Sequence, residues 1–132
     1  MKLNIYLNYP GNCEQAFHFY EQHLGAKLLF STKHGQNARP EWPADWKEKV
    51  LHAQILIGNT TLMGADIYKS EPMRSAYLSL TVESEAEAER IYSLLSDGGE
   101  IFMKMEKTHF ANRFAMLRDK FGTSWMLMHQ PG

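Results

Sequence analysis

The stretch NCEQAFHFYEQHLG, residues 12–25, decides the fold of the first half of the chain. Its apolar side chains recur with helical spacing and form a single stripe: Cys13, Ala16, Phe17, Tyr20 and Leu24. This spacing predicts an amphipathic helix with one buried face. Asn12 stands where an N-cap is expected, with Gln15 placed to reach back to it, and Gly25 is a natural residue to end the helix.

A second helix of the same kind is predicted over residues 84–96, where Ser84 and Glu87 form a capping box. It begins 84 − 12 = 72 residues after the first helix, which indicates an internal repeat. Each helix follows one predicted strand and precedes three more, so that the predicted order of elements in each half is βαβββ. The predicted strands are 3–9, 27–32, 51–57 and 60–66 in the first half and 76–82, 100–105, 113–118 and 124–128 in the second.

One βαβββ unit has a four-stranded sheet and a single helix, which is too little to cover both faces of the sheet. We therefore expect an α+β fold in which paired βαβββ modules form a curved mixed-sheet cup. The modules are approximately 1–67 and 75–132 of a single domain, 1–132. The helices would cover the outside, and the inside would be a concave pocket between modules, where ligand sites tend to form.

The charge balance, the apolar segments and the single cysteine limit the partners and the location that we expect. The chain has 132 residues, with 14 Lys and Arg against 15 Asp and Glu, and this near-balance argues against nucleic acid or an anionic membrane as partner. No segment has the ~20 consecutive apolar residues of a membrane span, and the N-terminal run does not resemble a signal peptide. The one cysteine, Cys13, lies on the apolar stripe. It should be an inert core thiol, and a cytoplasmic location fits a single reduced cysteine.

Short motifs spread in order over nearly the whole chain resemble PhnB-like proteins of the vicinal oxygen chelate superfamily, which includes glyoxalase I, bleomycin-resistance proteins and extradiol dioxygenases. They are the run YLNYPGNCEQA over 6–16, Phe19-Tyr20, Leu24-Gly25-Ala26, His52-Ala53, Leu62-Met63, Arg113-Phe114, Asp119-Lys120-Phe121-Gly122 and Ser124-Trp125-Met126. The resemblance implies paired βαβββ modules and commonly a homodimer.

The resemblance also says where a metal would bind. Metal-dependent members of the superfamily carry a ligand on the first and fourth strands of each module, usually His early and Glu late. The matching positions here are Asn4, Ile5 or Tyr6 on the first strand, then Met63, Tyr77 and Met126. None is His, Glu or Asp, which Ni, Zn, Fe or Mn would need. We therefore predict that the usual metal centre is absent and that no cofactor is bound.

Strand alternation predicts which side chains line the cup. On 51–57 the apolar residues Ala53, Ile55 and Ile57 should face the helix, which points His52 and Gln54 into the cup. His52 could act as a general base or hydrogen-bond partner, or it could be a structural histidine tied to a carbonyl or carboxylate. The other predicted cup residues are Tyr6, Met63, Tyr77, Ser79, Thr81 and Met126, whereas Trp125 should lie in the core.

Three further groups could contribute to the cup or to its surroundings. Arg113 could bind a carboxylate or phosphate in the cup, or it could form a surface ion pair. His109 and Phe110 could form the rim. The loop that holds Trp42 and Trp46 could be a lid, but we favour the packing of two exposed tryptophans against a partner subunit.

Two functions are consistent with these residues. The first is a metal-free binding module for a small, partly aromatic or apolar molecule, as in bleomycin-resistance relatives. The second is an enzyme: a lyase or isomerase, or a dioxygenase-type enzyme, with His52 or Tyr77 as acid/base or with metal ligands displaced to His52, Asp66 or His109. Some members of the family have carried a ubiquinone-biosynthesis methyltransferase label, but this chain has no glycine-rich cofactor loop.

Overall fold

The computed structural model describes residues 1–130 and divides into two compact units, Met1–Glu71 and a second one that begins at Pro72. The predicted order βαβββ, twice, is confirmed. The elements are β1 (Ile5–Tyr9), α1 (Cys13–Leu24), β2 (Lys27–Lys33), β3 (Val50–Ile57), β4 (Thr60–Asp66), β5 (Leu78–Thr81), α2 (Glu85–Ser96), β6 (Glu100–Glu106), β7 (Arg113–Arg118) and β8 (Ser124–His129). Within the described part of the chain, no helix has the length and apolar character needed to cross a membrane.

The two units have the same sheet topology. The strand orders are β1-β4-β3-β2 in the first unit and β5-β8-β7-β6 in the second. In each sheet the first and fourth strands are parallel and the remaining pairs are antiparallel. The first strand therefore cannot join the sheet through a tight hairpin, and the helix that follows it belongs to the long connection that parallel pairing requires.

Helix α1 buries one face of the first sheet. Its predicted stripe is buried at Cys13, Ala16, Phe17 and Tyr20. The backbone of β4 approaches the helix closely at Gly64, where an added Cβ would lie 2.6 Å from Cζ of Phe17 and 3.2 Å from Sγ of Cys13. Gly25 ends the helix with φ of 64°, as predicted.

The start of α1 differs from the prediction. Asn12 occupies the N-cap position, but its side chain makes no capping hydrogen bond. Asp66, at the end of β4, takes this role: its Oδ1 accepts from the backbone N–H of Gly11 at 3.1 Å and of Cys13 at 2.9 Å. Its Oδ2 accepts from the backbone N–H of Val50 at 2.9 Å. A carboxylate at a helix N-terminus is favourable, and this buried one joins α1 to the ends of two strands.

The second unit follows its predicted local signals. The hydroxyl of Ser84 accepts from the backbone N–H of Glu87 at 3.0 Å, which confirms the N-cap of α2. Trp125 is buried, as predicted, and its Nε1 donates to the carboxylate of Asp119 at 2.9 Å. The buried face of α2 is formed by Ala88, Ile91 and Leu95.

The loop between β2 and β3 packs within its own unit. Trp46 is only 6% exposed, and its ring lies 5.3 Å from that of Tyr68 and 6.0 Å from that of Trp42. His34 is also buried, with Nε2 2.8 Å from the carbonyl oxygen of Asp66. The prediction that both tryptophans are exposed is therefore wrong for Trp46, because Trp42 of the same loop and Tyr68 beyond β4 pack against it.

Candidate functional site

The face of the first sheet that points away from α1 carries a chain of three polar side chains. The hydroxyl of Tyr6 lies 3.0 Å from Nδ1 of His52, and Nε2 of Gln54 lies 3.2 Å from Nε2 of the same ring. Tyr6 comes from β1 and the other two from β3, and β4 lies between these strands. The sheet topology thus joins groups 46 residues apart into one hydrogen-bonded unit.

The orientation of β3 is as alternation predicts. Ala53, Ile55 and Ile57 are buried on the helix side, whereas His52 and Gln54 are half-buried on the opposite face. Of the two roles considered for His52, a tie to a backbone carbonyl or carboxylate is not what the structure shows. Its Nδ1 is hydrogen-bonded to the phenol of Tyr6 and its Nε2 to the amide of Gln54, and both of these side chains are partly exposed.

Apolar side chains lie beside this polar chain. Tyr6 is opposite Met63, Met63 is opposite Gln54, and Gln54 is opposite Phe30, so that the four residues form one row across the sheet. The rings of Tyr6 and Phe30 each lie 5.5 Å from that of His52. Phe30, which is 45% exposed, is not among the residues predicted from the sequence. Every residue of β2 is exposed, so alternation gives no signal there, and a register shift interrupts the pairing of β2 just before Phe30.

A groove of about 410 Å³ adjoins this row. Gln54 and Met63 belong to its wall, together with residues 2–5 and 59–61. Its volume lies in the range of small-molecule sites. Its wall is mostly polar, and its apolar side chains are those of Leu3, Ile5 and Met63.

Two groups of the first unit, the Tyr6 phenol and the Cys13 thiol, have raised pKa values. Burial raises the pKa of the Tyr6 phenol above its ordinary value, so the phenol keeps its proton at neutral pH. Burial also raises the pKa of the Cys13 thiol, with further contributions from Asp66 and Glu14. The thiol is fully buried, in agreement with the inert core cysteine that the sequence predicts.

The residues at the superfamily's metal positions do not fit a hard or borderline divalent ion. Strand pairing places Tyr6 opposite Met63 in the first unit. In the second unit Met126 lies opposite Ser79 and not opposite Tyr77, the residue expected there, because β5 begins only at Leu78. A phenol, an alcohol and two thioethers do not provide the imidazole or carboxylate ligands that such ions need. Over residues 1–130, no three His, Cys, Asp or Glu side chains are grouped so that they could hold a metal. Asp66 is already engaged by three backbone N–H groups.

The second unit has its own row on the sheet. Ser79, Met126, Met116 and Met103 are successive register partners across β5, β8, β7 and β6. Tyr77 precedes β5, and its ring lies 6.3 Å from that of Phe102. His109 and Phe110 lie in the loop before β7, where the two rings are in contact at 5.2 Å.

Arg113 does not point into a cup. Its Nε lies 2.9 Å from Oε1 of Glu89, and its Nη1 lies 3.0 Å from Oε1 of Glu85; both glutamates are on α2. Arg113 therefore forms the ion pair that was one of its two predicted roles, and its side chain lies on the helix side of the second sheet. Alternation along β7 explains this orientation, because Arg113 is on the same face of the strand as the buried residues Ala115 and Leu117.

Comparison with known structures defines the class. The chain is 15% identical to a glyoxylase/bleomycin resistance protein/dioxygenase domain from Frankia sp. EAN1pec, with a TM-score of 0.63 and coverage of 99% of this chain and 98% of that one. It is 24% identical to a PhnB protein from Bacillus cereus, with a TM-score of 0.82 and coverage of 98% and 99%. The fold is therefore that of the glyoxalase/bleomycin-resistance/dioxygenase superfamily, as the resemblance implied.

The family follows from a closer match. The model of the 3-demethylubiquinone-9 3-methyltransferase family matches residues 1–128, and the chain belongs to this PhnB-like family. Protein PA1353 from Pseudomonas aeruginosa is 38% identical, with a TM-score of 0.81 and coverage of 98% of both chains.

The family's description implies a methyl-donor cofactor, which the turn from β1 to α1 does not fit. A glycine-rich turn in this position holds nucleotide-type cofactors in other α/β proteins through free backbone N–H groups. Here the N–H groups of Gly11 and Cys13 are bound by Asp66, and the ring of Trp46 would lie 3.0 Å from a Cβ on Gly11. These two N–H groups are therefore not available to such a cofactor, and the Trp46 ring fills the space beside Gly11.

Proposed function

We propose that the open face of the first sheet binds a small, partly aromatic or apolar organic molecule without the metal centre of the superfamily. The observation that carries this proposal is the hydrogen-bonded chain Tyr6–His52–Gln54, which lies beside the exposed side chain of Phe30 and the half-buried side chain of Met63. The polar chain would orient the molecule, and the apolar side chains would supply affinity. Covering about 100 Å² of apolar surface would contribute roughly 2.5 kcal/mol.

We further propose that the protein is a cytoplasmic homodimer with no nucleic-acid partner. Leu28 and Leu29 on β2 and Ile101 on β6 are exposed, and apolar surface of this kind is commonly covered by a partner. The single buried cysteine suits a reducing compartment, and the net charge of −1 gives no attraction for nucleic acid. Light scattering on the purified protein tests the dimer: a mass near twice 15.2 kDa supports it, and a mass near 15.2 kDa contradicts it.

The contact between Tyr6 and His52 favours one alternative function, an enzyme that uses acid/base catalysis. The pair Tyr6–His52 connects an exposed hydroxyl to an imidazole nitrogen, and such a pair can move a proton at a substrate atom. Under this alternative, His52→Ala abolishes turnover while binding survives. Under the binding proposal, no turnover accompanies binding in the native protein.

An NMR titration with 2-acetylnaphthalene tests the binding proposal. We expect the shifts to concentrate on the amides of Tyr6, Phe30 and Gln54. Phe30→Ala should weaken binding about fivefold or more, since an aromatic contact of this kind contributes about 1 kcal/mol. Phe110→Ala is the matched control, because Phe110 is 44% exposed against 45% for Phe30 but lies in the second unit. Equal effects of the two variants, or shifts scattered over the chain, would contradict the proposal.

A further inference from the structure

We propose that Gln54 and His52 hold the Tyr6 hydroxyl so that it donates a hydrogen bond to an acceptor oxygen of the bound molecule. The ligand class would then be a planar compound with a carbonyl or oxyanion oxygen, rather than one that presents an amine or alcohol proton. This inference rests on the function proposed above and specifies which molecules the site selects.

Gln54 determines which groups donate and which accept in the chain Tyr6–His52–Gln54. Its amide nitrogen lies 3.2 Å from Nε2 of His52, and an amide nitrogen carries two protons and accepts none. Gln54 therefore donates, and Nε2 of His52 must present a lone pair.

The proton of the neutral imidazole must then be on its other nitrogen. A neutral ring carries one N–H, so Nδ1 is protonated and donates to the Tyr6 oxygen at 3.0 Å. The phenol accepts from His52, and its own O–H proton is free to point away from the ring. Because Tyr6 is 49% exposed, that proton can reach a molecule on the open face.

The surroundings of Tyr6 favour an acceptor of planar shape. Burial raises the pKa of the phenol, so the hydroxyl remains a donor at neutral pH. Phe30 and Met63 lie on the same face and offer apolar contact to a flat ring. One hydrogen bond to a carbonyl oxygen should raise affinity about five- to tenfold over the same molecule without that oxygen.

The first test needs no ligand. Long-range nitrogen–proton NMR at pH 8 on protein labelled in its histidine rings should show His52 protonated at Nδ1 and not at Nε2. Gln54→Glu should reverse this pattern, because a carboxylate accepts from Nε2–H. Gln22→Glu introduces the same charge at an exposed position of α1 and should leave the pattern unchanged. A native His52 that is protonated at Nε2 overturns the inference.

The second test compares two molecules of similar shape, 2-acetylnaphthalene and 2-ethylnaphthalene. The native protein should bind the ketone five to ten times more tightly, and Tyr6→Phe should abolish this preference. Equal binding of the two probes by the native protein overturns the inference while the proposed function stands. If neither probe binds, the proposed function fails and the ligand class fails with it.

Discussion

Asp66 accepts three backbone hydrogen bonds and is 1% exposed, so its replacement by asparagine should destabilise the first unit by about 2–4 kcal/mol. The asparagine side chain has the same shape but only one acceptor oxygen. If that oxygen keeps the hydrogen bonds from the N–H groups of Gly11 and Cys13, the amide NH2 must face the N–H of Val50. Two hydrogen-bond donors then point at each other, and neither has an acceptor. The other orientation leaves the start of α1 without its cap.

The magnitude follows from these contacts. A buried N–H without a partner costs about 1–3 kcal/mol. The two bonds that remain lose their charge assistance, at about 1 kcal/mol each. The amide is easier to bury than a carboxylate, which offsets part of the loss and brings the expected net effect to about 2–4 kcal/mol.

Urea unfolding followed by circular dichroism measures the effect. With a denaturant slope near 2 kcal/mol per molar, the midpoint should fall by roughly 1–2 M. Asp45→Asn is the control, because it makes the same chemical change at an exposed carboxylate and should stay within about 0.5 kcal/mol of the native protein. A loss for Asp66→Asn as small as that of the control would refute the role assigned to this carboxylate.

Three further predictions concern the core and the helix ends. Gly64→Ala should cost about 1–3 kcal/mol, because the new Cβ would lie 2.6 Å from the buried ring of Phe17; urea unfolding measures it. Ser84→Ala should cost about 1 kcal/mol through loss of the hydrogen bond to the N–H of Glu87, which thermal unfolding detects. Cys13 should react with a thiol reagent at pH 8 only after denaturation, since burial raises its pKa and blocks access.

For each of these three predictions, a different result would contradict the contact on which it rests. Ser93→Ala, at an exposed position inside α2, should be neutral or slightly stabilising, and an effect equal to that of Ser84→Ala would argue against the cap. Native stability in Gly64→Ala would show that α1 can move away from β4 without cost. Rapid labelling of native Cys13 would show that the first unit opens readily.

Local patterns in the sequence predict much of this fold. The apolar stripe of α1, the terminating Gly25 and the N-cap Ser84 depend on residues that are close in the chain, and the structure confirms them, with the stripe buried from Cys13 to Tyr20. The second half of the capping box does not form, because the Glu87 carboxylate pairs with Arg90. Alternation along β3 likewise gives the correct face for His52.

Features that depend on sheet register are harder to predict. The cap of α1 comes from Asp66, 53 residues away from Cys13, and no local signal distinguishes it from the nearer Asn12. The contact of Tyr6 with His52 similarly requires the strand order β1-β4-β3, which the repeat suggests but does not specify. Arg113 is a different case, because the alternation of its own strand already places it on the helix side.

A crystal structure of the protein with 2-acetylnaphthalene tests the central claim most directly. We predict that the naphthalene ring lies against Tyr6 and Phe30, with the ketone oxygen about 2.7 Å from the Tyr6 hydroxyl. The claim is contradicted if the probe lies away from this face, or if it lies on the face with its ketone oxygen directed away from Tyr6.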